Sequence, residues 1–225
     1  MKKLLFLAAV LISAQYISAQ ECDMFIPLRP GAELSYSYYN KPGIIESTAK
    51  TTILEKSSIP GGINVKLNTE AFDKDGKSVV KFDYDMRCQN GVFYVDMKSM
   101  LANMNVKDIS NFSVESKDLQ FPSRMSAGQI LSDASLLMKM SAGFITMSIT
   151  VDITNRKVES VETITTPAGT FECYKITYDS NSKVLMIKTQ NHIIEWYAKN
   201  VGLVRSESYD KKGKLTNIAE LTSLK

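Results

Sequence analysis

Apolar and polar residues alternate one by one through most of this chain, in short runs separated by glycine-, asparagine- and aspartate-containing turns. Leu34, Tyr36 and Tyr38 alternate with Ser35 and Ser37. Ile63, Val65 and Leu67 alternate with Asn64, Lys66 and Asn68, and Val80, Phe82, Tyr84 and Met86 with Lys81, Asp83, Asp85 and Arg87. The longest run sets Ile145, Met147, Ile149, Val151 and Ile153 against Thr146, Ser148, Thr150, Asp152 and Thr154. Side chains of a strand point to opposite faces in turn, so a period of two predicts sheet with one face on a core. Pro42-Gly43, Pro60-Gly61-Gly62, Asp73-Lys74-Asp75-Gly76, Gln89-Asn90-Gly91 and Asp210-Lys211-Lys212-Gly213 supply the turn chemistry between runs. Val80 to Met97 then reads as one antiparallel hairpin.

Further strands are predicted over Lys157–Thr166, Phe171–Asp179, Val184–Ala198, Leu203–Asp210 and Leu215–Leu224. The fold class is all-β, with about ten antiparallel strands in one domain. Such a meander forms a curved sheet, half-barrel or barrel, or two packed sheets, and alternation does not choose among them. The period changes once. Met97, Met100, Leu101 and Met104 fall at i, i+3, i+4 and i+7, the face of one short helix near the middle. The stretch from Lys107 to Ser126 is polar and irregular, with Phe121-Pro122 as an anchor. Leu136 to Met140 fits a strand, a short helix or a lid.

The start of the chain reads as an address. Lys2-Lys3, an apolar run from Leu4 to Ile12 and Ser18-Ala19-Gln20 make a signal peptide over residues 1–20, leaving a single β-rich domain over 21–225. The expected location is outside the cytoplasm, in the periplasm or at the cell surface. No later stretch reaches the roughly 20 apolar residues of a transmembrane helix. Without Lys2 and Lys3 the 27 basic residues nearly balance the 24 acidic ones. That balance gives no reason to expect nucleic acid as a partner. Export also exposes Cys22, Cys88 and Cys173 to oxidation. A Cys22–Cys88 disulfide would tie down the chain start, closing a loop worth roughly 4 kcal/mol in the chain-entropy account. Cys173 is then a buried free thiol.

No catalytic constellation is legible. His192 is the only histidine, which rules out zinc and iron sites that need two, and no G-x-S-x-G elbow, P-loop or G-x-G-x-x-G occurs. Asp83 and Asp85 share the solvent face of one strand. The expectation is therefore a non-enzyme with no metal and no cofactor. Methionine stands out: Met97, Met100, Met104, Met125, Met138, Met140 and Met147 crowd the middle of the chain. Thioethers fill irregular core gaps, adapt to apolar ligands, or, at M-x-x-M spacing, hold Cu(I).

Thr166-Pro167-Ala168-Gly169-Thr170-Phe171, Cys173-Tyr174-Lys175-Ile176, Trp196-Tyr197-Ala198 and Val201-Gly202-Leu203-Val204 resemble the C-terminal signature of a family of exported β-rich bacterial proteins of unknown function. By analogy of fold these look like periplasmic half-barrels that carry lipid or lipoprotein. The resemblance brings no catalytic residues. The one-sided strands and the methionine-rich middle region point to a binding protein for an apolar small molecule, a lipid or acyl chain, with Met97, Met100, Met104, Tyr84 and Trp196 as the expected liners. The alternative is a cell-envelope structural or assembly protein that binds another envelope protein. Trp196 and Tyr197 are neighbours on one strand, so at most one of them lines a given pocket.

Overall fold

The computed structural model describes residues 25–41, 43–99, 111–142 and 145–225. They form thirteen strands: β1 (Glu33–Lys41), β2 (Ile44–Ile59), β3 (Gly62–Asp73), β4 (Ser78–Gln89), β5 (Val92–Val95), β6 (Asn111–Lys117), β7 (Leu119–Pro122), β8 (Ala134–Ala142), β9 (Ile145–Thr166), β10 (Gly169–Val184), β11 (Ile187–Ala198), β12 (Gly202–Asp210) and β13 (Leu215–Leu224). All belong to one sheet, ordered β6-β8-β9-β10-β11-β12-β13-β1-β2-β3-β4-β5-β7. The expected signal peptide, Cys22, Met100 and Met104 lie outside the described residues.

The order of strands explains why the sheet curls into a nearly closed barrel. β6 and β7 are its two edges, yet only Asp118 separates them in the chain. Residues 111–122 therefore descend continuously, pairing first with β8 (Val114 opposite Met138) and then with β5 (Phe93 opposite Phe121). Two edges joined by one residue cannot lie far apart. An ion pair holds the junction, with Arg87 Nη2 2.9 Å from Asp118 Oδ2. Elsewhere β1 joins the two halves of the chain by pairing with both β2 and β13.

Two expectations change at element level. Leu136 to Met140 lies in the strand β8, and the stretch read as irregular from Lys107 to Ser126 contains β6 and β7. Its strands are short or polar, so a window of alternation never builds up. The turn expected between Asp179 and Val184 is instead extended strand, and β10 runs on to Val184 before reversing at Leu185-Met186. The helix expected from Met97 falls mostly outside the described residues. Its start is visible: Asp96 Oδ1 accepts from the Lys98 and Ser99 backbone N–H groups, a helix N-cap arrangement. The Val80–Met97 hairpin forms as expected, with Asn90 (φ 51°) and Gly91 (φ 76°) making the tight turn between β4 and β5.

Burial is graded along the barrel. At the end carrying the β2–β3 and β4–β5 turns, the inward residues Ile53, Val65, Leu67, Cys88, Phe93, Phe121, Val158, Ile176 and Leu221 are all fully buried. We call this end the floor. Phe25, from the lead-in before β1, plugs it. The Phe25 ring lies 5.9 Å from Phe93, 5.5 Å from Phe121, 6.1 Å from Tyr174 and 6.1 Å from Tyr197, touching strands from both sides of the barrel. Gly202 makes room for this strap, since a Cβ on it would come within 2.9 Å of the Phe25 carbonyl oxygen, and its φ of +113° disfavours any side chain. Cys88 is disulfide-bonded and Cys173 is a buried free thiol.

Candidate functional site: the barrel interior

Along several strands the inward residues lose burial away from the floor. Along β3 the inward residues pass from Val65 and Leu67, both buried, to Thr69 and Ala71, both partly exposed. Along β4 they pass from Cys88 to Phe82 and Val80, and along β10 from Ile176 to Tyr178 and Ser180. At the opposite end, the rim, the β1–β2, β3–β4, β10–β11 and β12–β13 hairpins turn. Among the described residues the interior is a cup, fully buried at the floor and partly accessible toward the rim.

Polar groups sit at the level where burial falls. Glu195 points inward from β11 between Ile193 and Tyr197. Its Oε2 accepts a 3.0 Å hydrogen bond from the Tyr197 hydroxyl, and Tyr178 hydrogen-bonds the same carboxylate. Burial raises the carboxyl above the ordinary glutamate range, outweighing the opposing pull of both tyrosines and of the Arg156 guanidinium. The same burial, with Glu195 beside them, lifts Tyr178 and Tyr197 well above the usual tyrosine value. Across the interior, Tyr84 takes part in a cluster with Thr51 and Thr69, whose hydroxyl oxygens are 2.7 Å apart. Tyr36 donates to the Leu203 carbonyl at 3.0 Å.

Arg156 is 1% exposed. Its Nη1 donates to the Gln120 carbonyl at 3.1 Å and the Ser132 carbonyl at 2.7 Å, while the guanidinium lies 5.0 Å from the centre of the Phe121 ring. It thus stitches β7 and the segment before β8 to β9. Among the described residues its Nε has no hydrogen-bond partner, leaving one unspent buried donor. Burial lowers its pKa, and Tyr197 and Glu195 oppose the shift.

The liners expected from sequence are only partly brought together. Tyr84 lies in the interior. Met97 packs against Ala134, Leu136 and Ile153 in the same wall as Tyr178. Trp196 is on the outer face: its Nε1 donates to Glu162 Oε1 at 2.5 Å, and Lys175 Nζ sits 5.5 Å from its ring centre. Tyr197 is the member of that pair that faces inward. His192 is also outside, half exposed, its Nδ1 3.0 Å from Asp179 Oδ1. Asp83 and Asp85 do not pair with each other; Asn68 donates to Asp83 and Asn64 to Asp85. The interior groups named above offer hydrogen bonds and apolar surface.

The DUF3108-like family profile matches residues 29–221. The chain belongs to the DUF3108-like family. Two solved structures are similar to it. A protein of Bacteroides fragilis described as exported, with a YmcC-like fold, superposes with a TM-score of 0.75 at 23% identity, over 91% of this chain and 100% of its own. A protein of Parabacteroides distasonis described as a lipoprotein superposes with a TM-score of 0.76 at 28% identity, over 92% of this chain and 100% of its own. No curated protein matches.

Alternation on its own missed Arg156, Tyr178 and Glu195 in this DUF3108-like barrel. One signal was present for Glu195, a carboxylate on the same strand face as Ile193 and Tyr197. For Arg156 the signal was the break after Thr154. Asn155, with φ of 57°, shifts the parity of β9 and turns an arginine inward.

Proposed function

We propose that this protein acts outside the cytoplasm as a non-catalytic carrier, taking an elongated apolar ligand, a lipid or acyl chain, into the rim half of its barrel. The observation that carries the reading is the fall in burial along β3 and β10, from a fully buried floor to inward side chains that stay partly accessible toward the rim. Pockets for apolar ligands combine such a lining with a few convergent polar groups. Here Tyr178, Tyr197, Glu195 and the free Arg156 Nε would meet the polar end of a ligand, while Tyr84, Phe82, Val151 and Met97 line its path. Each methylene taken from water contributes about 0.8 kcal/mol, so a long chain needs no charged contact for tight binding.

Native mass spectrometry of protein isolated without detergent, followed by solvent extraction, tests this. The expected result is a stoichiometric lipid, displaced when Ala71→Trp fills the cup from β3. A folded wild type that carries nothing and takes up no fluorescent fatty-acid probe would overturn the reading and leave an envelope-assembly role as the better one.

A further inference from the structure

The tip of the β10–β11 hairpin breaks three local rules within six residues. Val184, Leu185, Met186 and Ile187 are consecutive and all exposed, Met186 to 92% and Ile187 to 71%. Leu185 adopts φ of 56°, a left-handed conformation that hairpin turns normally give to glycine or asparagine. Lys183 and Lys188 stand directly opposite each other across the two strands, a like-charge pairing that weakens a sheet. None of these contributes to the barrel. Costs concentrated where the fold gains nothing point to a function for the segment.

The surroundings indicate what would relieve them. Beside the tip is an open hollow of about 380 Å³ whose charged liners are Lys183, Lys188 and Lys211 against a single carboxylate, Asp152. None of the three lysines has an ion-pair partner among the described residues. Of the eleven large apolar side chains those residues expose, seven are at the rim: Ile44, Ile45, Val79 and Val184–Ile187. Apolar residues at one end of the molecule, with unpaired lysines immediately behind the most exposed of them, match the layering of an anionic bilayer, where hydrocarbon lies beneath phosphate.

We propose that this rim docks on an anionic lipid surface, with Leu185 and Met186 entering the acyl region and Lys183, Lys188 and Lys211 taking lipid phosphates. A protein partner could cover the apolar tip, but it would not by itself call for the lysine triad. The inference goes beyond the carrier reading and does not depend on it, because docking requires nothing inside the barrel.

The test is co-sedimentation of the purified protein with phosphatidylcholine vesicles, with and without phosphatidylglycerol. The wild type is expected to bind the anionic vesicles, more weakly as salt rises. Lys183→Gln with Lys188→Gln should weaken binding by about fivefold for each lysine removed. Leu185→Ser with Met186→Ser should weaken it by about tenfold or more. In Met186→Trp the added indole emission should shift to shorter wavelength on mixing. Ala71→Trp should dock like the wild type even where it excludes a ligand, which separates failure of this proposal from failure of the carrier reading. Three results would overturn it: no sedimentation of the wild type at low salt, equal sedimentation of the serine variant, or a tip that changes oligomeric state in the absence of lipid without binding vesicles. All the substituted tip residues are exposed, so unchanged thermal unfolding should confirm that each variant is folded.

Discussion

At the scale of single residues, Glu195 carries the clearest expectation. Burial holds its folded pKa above the unfolded value, so the folded state binds the proton more tightly. The stability this linkage contributes is fully present below the unfolded pKa and is lost as pH rises through the folded one. Glu195→Gln keeps an acceptor for the Tyr178 and Tyr197 hydroxyls and removes the titration. It should therefore raise the melting temperature relative to wild type at pH 8, with the difference shrinking toward pH 4. An unchanged difference across that range would mean that the carboxyl is not the titrating group. Cys173 makes a second case: burial, with Glu162 and Glu172 nearby, pushes its thiol up to about 11. At pH 8 the native, unreduced protein should not react with a thiol reagent, and the Cys173 thiol should become reactive once guanidinium unfolds the chain. The buried free thiol of Cys173 was legible in the sequence, whereas the buried carboxyl of Glu195 was not. A tyrosine or glutamate is read from its strand parity, and parity tells which face a residue takes but not how completely that face is filled.

Elements were legible where alternation and turn chemistry agreed, and missed where one was absent. Asn90-Gly91 has both, and the β4–β5 hairpin was placed correctly. Ser180-Asn181-Ser182 looks like a turn but is paired on both sides, with β9 and β11; ladder hydrogen bonds outweigh a weak local preference. β9 was read as two strands because Asn155 breaks its rhythm. That break has a structural use, since it aims Arg156 at the β7 edge. Arg156→Met should leave the Gln120 and Ser132 carbonyls without their donor and cost about 2–4 kcal/mol, since each buried group left unsatisfied costs about 1–3 kcal/mol. Urea unfolding checks this. Arg156→Lys should recover only part of the loss, because an ammonium lacks the planar fork that reaches the two carbonyls while lying over the Phe121 ring.

At the scale of the whole molecule, closure was the question alternation left open, and it was decided by a connection too short to recognise as one. Only after β6 and β7 were known to be opposite edges did Asp118 become a seam. The seam and the floor then share a part. Phe121 belongs to β7, lies beneath the Arg156 guanidinium, and touches both Phe25 and Phe93. If the barrel is one cooperative unit, the N-terminal plug and the lateral stitch should be energetically coupled through that ring. Phe25→Ala alone should cost about 3–5 kcal/mol, the range for removing a buried phenylalanine. Combined with Arg156→Met, the total should fall short of the sum of the single losses by about 0.5–3 kcal/mol, because whichever change comes first already loosens Phe121. A double-mutant cycle in urea measures the shortfall, with Trp196 emission reporting the outer wall and Cys173 reactivity the β10 strand. Strict additivity, or probes that melt apart, would mean that floor and seam open independently. The barrel could then admit a ligand from its side. Coupling and coincident melting would leave the rim as the way in, the same end that carries the apolar hairpin tip and its lysines.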